Sequence, residues 1–114
     1  MRVIATRGYE RRAGRLLSRE ERTIAEAAIA GRPDAWPVIP GTGGARKARI
    51  ALPGRGKRGG ARVIYFFSMT GGLIAFFDIY AKNEQENLSS ADKRDLKAAI
   101  AEIAAEIRAD DTAW

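Results

Sequence analysis

The longest mainly apolar run, Val63 to Tyr80, is broken in its middle by Ser68-Met69-Thr70-Gly71-Gly72. That break divides it into two strand-length pieces and removes it as a membrane span. The first piece reads as a strand from Arg62 to Met69. Gly71-Gly72 turns the chain into a second, from Leu73 to Lys82. Both pieces are apolar on each face over much of their length. Such strands belong in the centre of a sheet, covered by helices on one side and partly covered on the other.

The remaining segments supply the cover. Arg2 to Thr6 reads as a short first strand. Tyr9, Ala13, Leu16 and Leu17 then follow the spacing of one helix face. Ser18-Arg19-Glu20-Glu21 fits a capping box that opens a second helix, from about Arg19 to Ala30, which stops at Gly31-Arg32-Pro33. The two helices are expected to form an antiparallel hairpin on the sheet. A Pro- and Gly-rich loop, about 34–44, precedes a strand at Arg46 to Leu52, and a flexible basic loop spans about 53–60. In that strand Lys47, Arg49 and Ala51 share one face, and Ala48, Ile50 and Leu52 the other. A last helix, about 90–108, is capped by Ser89 or Ser90, with Leu96, Ile100, Ile103 and Ile107 as its apolar stripe. The order β-α-α-β-β-β-α predicts one α+β domain over residues 1–114 with a small, mainly antiparallel sheet.

Charge is distributed unevenly over this frame. From Ala35 to Phe77 there are seven Lys or Arg and no Asp or Glu. The rest of the chain carries 13 basic and 14 acidic residues, so the net charge of +6 resides in that stretch. The bases cluster at Arg46-Lys47-Ala48-Arg49 and along Gly54 to Arg62. Dense cationic charge repels itself and attracts a polyanion, with counterion release supplying much of the affinity. The plain alternative for Arg55, Lys57 and Arg58 is a solvated hairpin tip that guards an edge. Against it, the loop glycines allow close backbone approach to a ligand, and Lys47, Arg49 and Arg62 continue the charge onto the strands.

Other classes are excluded. The chain has no Cys and no His, which removes disulfides, thiolate metal sites and every Ser-His or Cys-His scheme. Any proton chemistry must use Lys, Arg, Tyr, Asp or Glu. Gly41-Thr42-Gly43-Gly44-Ala45-Arg46-Lys47 lacks the spacing of a phosphate loop and leads into a strand, so it reads as a structural turn. Taken alone, Tyr80 reads as a half-buried strand tyrosine with its hydroxyl in water. Tyr80, Lys82 and Asp78 share a face, which makes Asp78 a possible partner for one of the bases. Trp36 and Tyr65 read as core or loop packing. The segment Met1 to Thr6 is too short and too soon followed by charge for a signal peptide, which points to the cytoplasm and to no membrane.

Three segments together carry a resemblance. They are Pro40-Gly41-Thr42-Gly43-Gly44-Ala45-Arg46-Lys47, the run Gly54-Arg55-Gly56-Lys57-Arg58-Gly59-Gly60-Ala61-Arg62-Val63-Ile64-Tyr65, and Tyr80-Ala81-Lys82-Asn83-Glu84. In this order they resemble the RelE/HigB-type toxins of bacterial toxin–antitoxin pairs, within the RelE/ParE superfamily, over nearly the whole chain. The glycine-rich basic loop is most similar to the HigB-type branch. The resemblance implies a compact toxin fold and cleavage of messenger RNA at the ribosomal A site without metal or other cofactor. It also implies a cognate antitoxin, of the helix-turn-helix HigA type, that neutralises the toxin and carries it to operator DNA. By position, Lys47, Arg49, Arg62 and Lys82 match the family's basic site residues, and Arg55, Lys57 and Arg58 match the subgroup's loop. Arg46, beside them, joins the RNA-binding set. Some relatives have an arginine directly after the lysine at Lys82 and a functional tyrosine in the last helix. Here Asn83 holds the first position, and no tyrosine follows Tyr80.

These residues permit RNA cleavage by in-line attack of a ribose 2′-hydroxyl on the adjacent phosphate. Arg62 and Arg49 are expected to grip the phosphate, Lys47 or Lys82 to act as base or acid, and Tyr80 to assist proton transfer. Two alternatives use the same chain differently: a non-catalytic RNA- or ribosome-binding protein, and a ParE-type gyrase inhibitor.

Overall fold

The computed structural model describes residues 1–52, 60–81 and 88–112, the last three as backbone only. Its elements are β1 (Arg2–Ala5), α1 (Arg7–Leu16), α2 (Arg19–Gly31), β2 (Arg46–Ile50), β3 (Ala61–Ser68), β4 (Leu73–Ala81) and α3 (Ser90–Thr112). The fold is α+β, with the expected element order. The four strands lie in the order β1-β4-β3-β2; β1 runs parallel to β4, and the other two pairings are antiparallel. The two apolar strands thus occupy the centre. Gly72 takes φ 59° in the turn between them, a left-handed conformation that glycine adopts without a Cβ penalty.

Both sheet faces are covered. On one face α1 and α2 pack Tyr9, Ala13, Ala25 and Ile29 against Ala48, Ile50, Val63, Tyr65, Phe76 and Ile79. Tyr9 is fully buried and stacks on Phe76, with ring centroids 5.1 Å apart. Its hydroxyl donates to Glu26 Oε2 at 2.7 Å, and Arg22 lies over its ring while bridging Glu26 and Glu10. The capping box at Ser18 forms as expected, with the Glu21 amide donating to Ser18 Oγ and the Ser18 amide to Glu21 Oε1. The sharp entry it creates sends α2 back beside α1.

On the other face α3 lays Leu96 and Ile100 over Ala45, Ile64 and Tyr80. Ser89 caps this helix: it accepts from the Asp92 amide at 3.0 Å, and its own amide donates to Asp92 Oδ2 at 3.1 Å. These bonds hold the Asp92 carboxyl below its ordinary pKa. The helix runs to Thr112, past the expected end near 108, because Ala109-Asp110-Asp111 contains no Gly or Pro to stop it. Gly71, in the β3–β4 turn, seats Ile107; a Cβ there would stand 2.6 Å from Ile107 Cδ1. No helix among the described residues is long and apolar enough to cross a membrane.

Candidate functional site

Strand alternation sends Lys47 and Arg49 to the α3 side of β2, while Ala48 and Ile50 enter the core under α1 and α2. Pairing then aligns residues far apart in sequence. Arg49 sits opposite Arg62, and Arg62 opposite Tyr80, so the three form one row across β2, β3 and β4. Directly opposed residues have Cα atoms about 5 Å apart, which places their side chains within reach of a single phosphate. The next row is Lys47, Ile64 and Asp78. Exposure falls along the first row: Arg49 is exposed, Arg62 half-buried and Tyr80 buried.

Neither arginine has a carboxylate partner among the described residues. Two guanidinium groups directly across a strand pair repel each other, a local cost that an anion between them would remove. Gly60 leaves room beside them. A Cβ at that position would lie 3.0 Å from the Ile50 carbonyl oxygen and 3.7 Å from Arg62 Nη1.

Tyr80 departs from its sequence reading. The ring is 3% exposed, and the hydroxyl is buried with no hydrogen-bond partner among the described residues. The physical reason is α3, whose Leu96 and Ile100 pack on the same cluster and exclude water. Burial raises the pKa of this phenol, Arg62 and Arg49 pull it down, and Asp78 pushes it up. The hydroxyl therefore keeps its proton at neutral pH and lies in the field of the two arginines. A buried hydroxyl without a partner is costly, and such groups occur where a ligand supplies the missing bond.

Asp78 also differs from expectation. Its partner is Arg12 of α1, which donates to both carboxylate oxygens at 2.7 and 2.8 Å, and not one of the bases on the sheet. Arg46 points away from the row. Alternation places it on the opposite face from Lys47 and Arg49, and its guanidinium donates to the Trp36 carbonyl at 2.6 Å. Arg55, Lys57, Arg58 and Lys82 lie outside the described residues.

All three tyrosines of the chain are held protonated. Burial raises Tyr9 far above its ordinary value, assisted by its hydrogen bond to Glu26. Tyr65 is pushed up to about 12, mainly by burial, with Arg46 opposing and Asp34 adding to the shift. A raised folded-state pKa favours the neutral phenol, so this stability is fully present below pH 10 and is lost as pH rises through the folded-state values. Tyrosinate absorbance should therefore stay flat near pH 10 and appear only at higher pH, together with loss of the circular dichroism signal. Titration of the native protein at pH 10 would contradict the burial described.

The sequence reading did not find the segment over 36–40 as part of a site. The Ile39 amide donates to the Ala45 carbonyl at 2.7 Å, and Val38 bridges Arg46, so these residues run antiparallel along the outer edge of β2. The available signal was two prolines flanking β-branched Val38 and Ile39, the composition of a blunted edge strand. Together with Lys47, Arg49, Leu88 and Lys93, this segment bounds a cleft of about 570 Å³.

A cationic row ending in a buried, protonated phenol can bind a phosphate, neutralise charge that develops on it and donate one proton. A family model described as the RelE toxin of the RelE / RelB toxin-antitoxin system matches residues 1–112, nearly the entire chain. With the mixed four-stranded sheet between a helical hairpin and a final helix, this match identifies the chain as a member of the RelE toxin family.

Proposed function

We propose that this toxin is an endoribonuclease that cleaves messenger RNA on the ribosome and so halts translation. The observation that carries the reading is the row Arg49–Arg62–Tyr80, with an unpartnered hydroxyl at its buried end. In the reaction, the 2′-hydroxyl of a ribose loses its proton and its oxygen bonds to the adjacent phosphorus. The bond from phosphorus to the 5′-oxygen of the next nucleotide breaks. The products are a 2′,3′-cyclic phosphate and a free 5′-hydroxyl. The substrate supplies its own nucleophile, so no cofactor is invoked and DNA is not cut.

The protein aligns the phosphate, stabilises its added charge and moves protons. Arg49 and Arg62 hold the non-bridging oxygens, since two guanidinium forks bind phosphate oxygens bidentately. Tyr80, held in its protonated form, donates to the departing 5′-oxygen. Lys47, one row away, supplies charge to the same face and is a candidate for the base, as is Lys82. The basic residues Arg55, Lys57 and Arg58 add contacts to RNA. The cognate antitoxin, of the helix-turn-helix HigA type, neutralises the toxin and links it to operator DNA.

Primer extension on a defined message, with purified protein and with or without translating ribosomes, tests the reading. Cuts at fixed positions within codons that require ribosomes are the expected result. Cuts without ribosomes would make the protein a free ribonuclease. No cuts in either case would replace catalysis by RNA or ribosome binding alone.

A further inference from the structure

The cleft beside the arginine row has one kind of wall and one sign of charge. The 36–40 segment and Leu88 supply apolar and aromatic surface, while Lys47, Arg49 and Lys93 supply cations. No carboxylate lines it. A neighbouring cavity of about 280 Å³ shares Leu88 but is lined by Asp78, Asp92 and Asp95 and by no cation. A polyanion is therefore drawn to the first and repelled from the second.

The wall is held rigidly. Pro37 and Pro40 restrict the backbone at two of its five residues. The Thr42 hydroxyl donates to the Ile39 carbonyl at 2.7 Å and accepts from the Ala45 amide at 3.0 Å. Arg46 pins the Trp36 carbonyl from the other side. On the α3 side Gly41, at φ 82°, lets the turn close on the stem of Lys93; a Cβ there would stand 3.7 Å from its Cδ. Val38 nevertheless leaves 46% of its surface exposed at this cationic cleft.

Apolar and aromatic surface beside cations is the combination that single-stranded nucleic acid requires. Bases stack on the first, and the second tracks the backbone. Arg49 belongs both to the cleft and to the row that ends at Tyr80. We infer that this cleft receives one unpaired nucleobase of the RNA strand, that of the nucleotide adjoining the phosphate held by Arg49 and Arg62, with Trp36 and Val38 as its contact surface. This rests on the RNA-cleavage reading above and deepens it. The base enters sideways from the row, and the cleft thereby selects which nucleotide is presented for cutting.

Trp36 and Trp114 are the two tryptophans, so in a Trp114→Phe background the fluorescence reports Trp36 alone. The probe is a short 2′-O-methyl oligoribonucleotide, which cannot be cleaved, compared with a matched oligonucleotide lacking one base. The expected result is a change in Trp36 emission, with affinity for the abasic probe about tenfold lower, the order of one lost base stack. Val38→Asp, at an exposed position that tolerates a polar side chain, should weaken binding of the intact probe by at least about tenfold and abolish the difference between probes. Equal affinity for both probes with unchanged emission would overturn the inference. Failure of either probe to bind at millimolar concentration would do the same.

Because neither probe can react, this readout survives if the protein proves not to be a nuclease. Conversely, message cleavage that is lost in Arg62→Ala but keeps its rate and cut positions in Val38→Asp would remove the base site and leave the nuclease.

Discussion

Arg62→Ala is expected to lower message cleavage by about 10²–10³-fold, the usual loss when one donor to a developing oxyanion is removed. Arg62 is the middle member of the row and the only one with site neighbours on both sides, Arg49 and Tyr80. It is half-buried, so its charge is less screened by water than that of exposed Arg49. The same change should not reduce stability. Arg62 makes no ion pair among the described residues, and its removal relieves the repulsion from Arg49 directly opposite. Single-turnover cleavage on programmed ribosomes, set beside a urea denaturation curve, checks both halves. A folded Arg62→Ala protein with full activity would refute the assignment. Arg62→Lys should recover only part of the loss, because an ammonium keeps the charge and forfeits the two-pronged grip.

Tyr80→Phe is expected to separate activity from stability in opposite directions. The hydroxyl is buried without a partner among the described residues, so removing one oxygen deletes an unsatisfied polar group and leaves the ring packed against Ile64 and Ile100. The folded state should gain about 1 kcal/mol, the low end of the penalty for a buried unsatisfied hydroxyl. Cleavage should fall by about 10²–10⁴-fold if the phenol donates the proton to the leaving oxygen. A group that lowers stability and raises rate is what a functional site held at the expense of the core looks like. Full activity in a stabilised Tyr80→Phe protein would leave Tyr80 as a core residue and move the acid elsewhere.

Both expectations depend on a geometry that was only half legible in the chain. Alternation in Arg46 to Leu52 is enough to separate Lys47 and Arg49 from the core-facing Ala48 and Ile50, because side chains in a strand point up and down with a period of two. It is equally enough to turn Arg46 away from them, although three adjacent bases read in one dimension look like a single cluster. The capping boxes at Ser18 and Ser89 were legible for the same reason: each is closed by atoms three residues apart. Tyr80 was misread because its environment is not local. The helix that buries its hydroxyl supplies Leu96 and Ile100, and no short-range pattern around Tyr80 announces them. The pairing of Asp78 with Arg12 joins residues 66 positions apart, and the sequence offered nearer cations as candidates.

The register was likewise beyond reach. Between Ile64 and Tyr65 the pairing with β4 shifts by one residue, so that Ile64 faces Asp78 while Tyr65 faces Phe76. Without that bulge, one segment of β4 would present the wrong face. With it, Tyr80 meets Arg62 on the α3 side while Phe76 meets Tyr9 on the other.

What the sequence determined by itself was everything governed by neighbours along the chain: the helices and their caps, the two central strands, the face on which Lys47 and Arg49 stand, and the cationic stretch that calls for a polyanion. Only the tertiary structure decided the row Arg49–Arg62–Tyr80, the drying of the Tyr80 hydroxyl and the cleft walled by the 36–40 segment. Each of these depends on contacts between segments far apart in the chain, whose register and burial are set by packing the whole sheet between its helices.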